Sequence, residues 1–230
     1  AGVDNDSCFT PQQVSAVEKI WSGIKTSSGE LGYPGLVPGG EAYPGSWDRW
    51  VTGGEPFTSL HWLGGEGFFR WFVFDAHEWD FTTFDFDADL TYALEKVGPA
   101  VDSDNPDLRA LRDNDSKLIV YHGWSDPDIS PVASINYFED VVELIGDDIR
   151  APNYETALHS TQNFFRLFMV PGMGHCAGGP GPDRFDALSA MENWVEYGIA
   201  PDSIQASKIQ DGEITRSRPL CVLSLIHISE

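Results

Sequence analysis

The sequence predicts an α/β fold built on a parallel sheet, and three observations carry that reading. From Lys117 onward the chain twice repeats strand, loop and helix: Lys117–Tyr121 then Pro131–Ile145, and Phe164–Val170 then Asp183–Tyr197. Both strands are compact apolar runs without polar alternation, the pattern of strands buried on both faces of a parallel sheet. Each strand opens into a loop with Gly and Pro that carries reactive side chains, and in parallel α/β sheets functional groups gather beyond the carboxyl ends of the strands.

Composition sets the bounds. The 230 residues suffice for a sizeable core, and 41% hydrophobic residues exclude a wholly disordered chain. A net charge of −22 argues against nucleic acid or an anionic membrane surface as partner. No stretch approaches the ~20 apolar residues of a membrane span. Ala1-Gly2-Val3-Asp4 has no basic region before an apolar one, so no export signal is expected within the chain itself.

In chain order, Asp4 and Asp6 read as linker acids. Thr10-Pro11-Gln12-Gln13 starts a helix with a capping hydroxyl, proline at the first position and glutamine three residues after the cap. Val14, Val17, Ile20 and Trp21 mark its apolar face. Residues Gly29 to Gly54 are rich in Gly and Pro and predict a packed, irregular excursion rather than a sheet. Leu60–Phe74 is aromatic and apolar and reads as a short helix, with strand as the alternative; its one cation is Arg70. Asp85, Asp87 and Asp89 resemble a calcium loop, but the glycine and terminal acid of an EF-hand are missing, which favours a solvated turn before a helix over Asp89–Val97. Another short helix starts near Asn105 and ends near Arg112. A polar connection joins Ile145 to the second strand.

The chemistry centres on two loops. His122-Gly123-Trp124-Ser125-Asp126-Pro127 follows the first strand, and Pro171-Gly172-Met173-Gly174-His175-Cys176 follows the second. A carboxylate at Asp126 and an imidazole at His175 form the arrangement in which the acid orients the base and supports its protonated form. The order acid then base fits an α/β hydrolase whose serine lies earlier, on a G-x-S-x-G elbow. Gly123-Trp124-Ser125-Asp126-Pro127 is the nearest match, but it ends in proline and sets Ser125 beside the acid. His122 reads as a structural hydrogen-bonding residue. The Gly178-Gly179-Pro180-Gly181 run lacks phosphate-loop spacing, and His61, His77 and His159 have no recognisable metal spacing.

The segments KLIVYHGWSDPDISP, FFRLFMVPGMGHCAGGPGP and ALSAMENWVEYGIAPDSIQAS together resemble the C-terminal part of the tannase and feruloyl esterase family. The resemblance extends from about Cys8 to Cys221. It implies a partial α/β-hydrolase fold, the last parallel strands and helices, with most of an inserted lid domain at residues 1–96 and the catalytic part at 97–221. It implies a serine esterase of phenolic acid esters, with Asp126 as acid and His175 as base. The family's serine and its neighbouring cysteine would precede Ala1, and Cys176 would form a disulfide clamp with that missing cysteine. Cys8 and Cys221 would likewise have partners outside the chain. No cofactor is expected for catalysis. A structural calcium is implied, with ligands outside the chain and no metal ligand within it. Arg70 is the candidate substrate-binding residue, an ordinary surface salt bridge being the alternative. A secreted or periplasmic location is expected, with a small aromatic ester as the partner. Val222–Glu230 departs from the family and resembles translated adapter sequence, so residues 222–230 are expected to be a non-native tail and His227 to have no function. The competing readings are an inactive fragment or binding remnant, and an α/β hydrolase of another specificity such as a peptidase or lipase.

Overall fold

The computed structural model describes residues 8–224; Asp4, Asp6 and His227 lie outside the described residues. The architecture is mixed α/β. Helix α1, Pro11–Ser22, carries the predicted capping box, Thr10 receiving Gln13 N–H while the Gln13 side chain receives Thr10 N–H. The Gly- and Pro-rich excursion contains more order than expected. Strands β1 (Ile24–Lys25) and β2 (Leu31–Tyr33) pair antiparallel, and a short helix α2 spans Trp47–Trp50.

The aromatic stretch is helical: α3, Leu60–Gly67, runs directly into a π-helical segment, Phe68–Val73. Its rings, with those that follow, pack on one another. Phe69 contacts Trp79 and Phe84, and Phe74 contacts Trp79 and Tyr92. The acidic run is the predicted turn. The Asp85 carboxylate accepts from the N–H groups of Asp87 and Ala88, and that of Asp89 from Asp85 N–H, ahead of α4, Ala88–Lys96. Such side-chain bonds stabilise an N-terminus whose first amides have no helical partner. Short helices α5 (Gly98–Val101) and α6 (Arg109–Asp113) follow.

Strand β3, Leu118–Gly123, pairs in parallel with β4, Phe165–Val170, from Leu118 opposite Phe165 to Gly123 opposite Val170. Between them lie α7, Pro131–Ile149, and α8, Tyr154–Gln162. Helix α8 occupies the stretch expected to be a polar connection; its polarity is the solvent face, and Ala157, Leu158 and Thr161 are buried. Strand β4 is buried on both faces by alternation. Phe165 and Leu167 pack with Phe138, Val141, Val142 and Ile145 of α7, while Phe168 and Val170 pack with Met173, Ile204, Ala206 and Leu220. Strand β3 is less covered than its composition predicts, Tyr121 being exposed, because among the described residues its other edge has no strand partner.

Helix α9, Ala187–Tyr197, starts four residues later than predicted, where the Asp186 carboxylate caps Ser189 N–H. Two strands that the sequence reading did not recognise then form a hairpin: β5, Ser203–Gln210, and β6, Glu213–Cys221. They are joined at Asp211-Gly212, both at positive φ, as a tight two-residue hairpin turn requires. The expected tail behaves as part of the fold at its beginning: Leu223 is buried in the α7–β4 core and donates its N–H to the Leu167 carbonyl.

Candidate active site

Because β3 and β4 are adjacent and in register, the loops that leave them start side by side. The seam continues past the strand ends, with Trp124 N–H donating to the Val170 carbonyl at 2.9 Å and Ser125 N–H to the Met173 carbonyl at 3.0 Å. Gly123 allows this closeness, since a Cβ there would lie 2.4 Å from the Met173 carbonyl oxygen.

Asp126 is buried at the first loop, its side chain 5% exposed. Oδ1 accepts from Asp128 N–H at 2.8 Å and Ile129 N–H at 3.1 Å. Oδ2 faces two imidazoles, His175 Nδ1 at 3.0 Å and His122 Nε2 at 3.2 Å. Burial alone would raise the Asp126 pKa, but the donors from His122, Asp128, Ile129 and His175 outweigh it and hold the carboxyl below the usual value. An ionised carboxylate only accepts, so Nδ1 of His175 carries the proton and the neutral ring presents Nε2 as a base.

The His175 loop is braced from below. Gly178 N–H donates to Asp183 Oδ2 at 2.8 Å, and Lys208 of β5 reaches the Gly179 carbonyl at 2.7 Å and Asp183 Oδ1 at 3.1 Å. Cys176, next to the base, sits in the left-handed region at φ 62°, a conformation that costs a non-glycine residue and persists only where surroundings impose it. Its thiol and that of Cys221 are free and exposed.

The N-terminal segment covers the pair. Ser130 donates its hydroxyl to the Gly35 carbonyl at 2.6 Å, and the Trp50 ring lies 4.9 Å from the His175 ring. His61 Nε2 is 3.1 Å from Asp128 Oδ1, whose partner oxygen Oδ2 is 3.7 Å from His175 Nε2. A cleft of about 330 Å³ beside His175 is lined by Tyr43, Arg49, Trp50, Ser125 and Pro127 among others. Beyond His61 and Asp128 a wider cleft of about 590 Å³ is lined by Ile24, Tyr33, Leu36 and Phe86.

The structure thus brings Asp126, His175 and Cys176 to one place, but not Arg70. That side chain is paired with Glu66, one helical turn back, and with the His77 carbonyl, and it lines neither cleft. Sequence reasoning missed Trp50, Asp128 and His61 as neighbours of the base. Asp128 had a signal in the Asp126-Pro127-Asp128 repeat, whereas His61 is 67 residues from its partner and had none. Among the described residues no group of three His, Cys, Asp or Glu is placed to hold a metal ion.

Known proteins resemble this chain over most of its length. The family profile described as tannase and feruloyl esterase matches residues 1–224. An uncharacterized esterase of Xanthomonas campestris pv. campestris is 37% identical over 96% of this chain and 44% of its own length. The mono(2-hydroxyethyl) terephthalate hydrolase of Piscinibacter sakaiensis is 32% identical over 96% of this chain and 39% of its own. The crystal structure of feruloyl esterase B from Aspergillus oryzae superposes with a TM-score of 0.77 at 27% identity, covering 94% of this chain and 42% of that one. The chain therefore spans about two fifths of the length of the relatives it matches. On the family match over residues 1–224, this chain belongs to the tannase and feruloyl esterase family.

Proposed function

We propose that this chain carries the acid and base of a serine-type carboxylic ester hydrolase acting on esters of phenolic or related aromatic acids. The observation that carries the reading is the hydrogen bond between buried Asp126 and His175 Nδ1, which leaves Nε2 directed away from the acid as a general base. The names of the relatives, esterases and feruloyl esterases, support the reaction class.

In this reading His175 Nε2 takes the proton of a serine hydroxyl as its oxygen attacks the ester carbonyl. The protonated ring then gives that proton to the leaving alcohol, and water repeats the cycle on the acyl-enzyme. In this reading the nucleophile and its oxyanion donors come from elsewhere in the full-length protein. Cys176 is the thiol that would clamp the base loop to the nucleophile loop. A structural calcium would likewise draw its ligands from elsewhere. The segment up to residue 96 serves as the lid, and Tyr43 and Trp50 offer ring faces against which an aromatic acyl group stacks. Ester substrates of this kind and the acidic composition suit an enzyme working in the periplasm or outside the cell.

The test is hydrolysis of methyl ferulate, methyl gallate and a peptide amide by the full-length protein, by its His175→Ala variant, and by the present chain alone. Ester turnover by the full-length protein, abolished in the variant and absent from the isolated chain, is the expected result. A normal rate from the isolated chain, or preference for the amide, overturns the reading.

A further inference from the structure

We propose that His122 is a positioning residue of the acid–base pair: it donates to the same Asp126 oxygen that receives His175, and so sets how strongly Asp126 supports the protonated His175 ring. The inference rests on the hydrolase reading above.

His122 is the penultimate residue of β3, its side chain 12% exposed. Nε2 lies 3.2 Å from Asp126 Oδ2, and Nδ1 lies 2.7 Å from the hydroxyl of Ser134 in the first turn of α7. The partners fix the tautomer. The Asp126 carboxylate cannot donate, so Nε2 carries hydrogen; the neutral ring then presents a lone pair at Nδ1, to which Ser134 donates. A run of donors therefore leads from Ser134 to His122 to Asp126, and His175 approaches the same oxygen from the other loop.

Two donors on one carboxylate oxygen compete. Each withdraws charge from it, so the bond from His122 weakens the support that Asp126 gives to the His175 imidazolium. Removing the His122 donor makes Asp126 a stronger partner for that imidazolium, which then holds its proton to higher pH. The other charged or titratable groups near the base are Asp128 at Nε2, His61 across Asp128, Arg49 and Tyr43 in the cleft beside His175, and Tyr33, whose phenol burial first and then the charges of Asp126 and Asp128 hold neutral. They are the same in all variants, so their influence cancels in a comparison.

The experiment is the pH profile of kcat/KM on methyl ferulate for the full-length protein and its His122→Phe, His122→Gln and Ser134→Ala variants. The acid limb should move up by roughly half to one unit in His122→Phe. It should return to the wild-type position in His122→Gln, whose amide still donates, and shift less, in the same direction, in Ser134→Ala. A merely structural role would lower Tm or kcat and leave the limb in place. An unmoved limb in a folded His122→Phe variant overturns the proposal, and if that variant does not fold, an unmoved limb in Ser134→Ala does so. Should the wild-type protein hydrolyse no ester, the hydrolase reading fails. The His175 ring protonation, followed by nitrogen chemical shifts in wild type and His122→Phe, then still tests the coupling: an unchanged midpoint overturns it and an upward shift supports it.

Discussion

Gly123 and Met173 meet backbone to backbone, so close that a single added carbon on Gly123 would sit 2.4 Å from the Met173 carbonyl oxygen and 2.5 Å from that of Gly174. The acid loop and the base loop are held together at this point. Gly123→Ala should therefore cost about 3 kcal/mol of stability, because backbone rather than a flexible side chain must give way. The full-length variant should also lose on the order of 10²-fold in kcat, as a shift of about 1 Å between acid and base does. Urea unfolding and ester turnover measure the two effects, and a variant of wild-type stability would contradict the close packing.

Asp126→Asn separates orientation from folding. The Asp126 carboxyl is held below its ordinary value by donors from His122, Asp128, Ile129 and His175 that outweigh its burial. A lowered folded-state pKa contributes stability above the unfolded value of about 4 and loses it as pH falls through the folded value. The difference in unfolding free energy between wild type and Asp126→Asn should be full near neutral pH and shrink below about pH 4. Turnover of the full-length variant should drop on the order of 10⁴-fold.

Lys208 and Asp183 form an ion pair whose side chains are 11% and 6% exposed. Lys208→Met should destabilise by about 3 kcal/mol, since it strands a buried carboxylate. Adding Asp183→Asn should recover part of that loss. A thermodynamic cycle over the two single variants and the double variant checks this, and strictly additive effects would show that the pair is uncoupled.

Trp50→Ala removes the ring that lies 4.9 Å from that of His175 and part of the cleft wall. For an aromatic ester the expected effect is a KM about tenfold higher with a smaller change in kcat, the value of one aromatic contact. An aliphatic ester of similar size should be less affected. Equal losses on both substrates would place the role of Trp50 on His175 itself.

Much of the stretch from residue 117 to 197 was legible in the sequence because its signals are local. The apolar run ending in Val170, the glycines around His175 and the helical period of α7 and α9 each arise within a few residues, and the structure reproduces them to within a few positions. The hairpin β5–β6 was equally local, announced by Asp211-Gly212, yet its polar, alternating strands lacked the density of apolar residues that marked β3 and β4. What could not be read was contact across distance. The meeting of His61 with Asp128, of Trp50 with His175, and of Lys208 with Asp183 depends on how separate segments pack, and no periodicity encodes it. Arg70 illustrates the converse: a lone cation in an aromatic stretch reads either as a recognition residue or as one half of an ordinary salt bridge, and Glu66 one turn earlier pairs with it.

In the proposed reading, the adjacency of β3 and β4 leaves proton transfer and substrate choice under separate structural control. Acid and base are tied to each other through six consecutive strand pairs and the two loop bonds beyond them, so their alignment is inherited from a single seam of backbone. The rings that face the cleft come from an earlier stretch of chain that meets this seam at Gly35, Gly40 and His61, among other points. Changes in that earlier stretch then reshape what fits over His175 while the Asp126–His175 pair beneath stays intact.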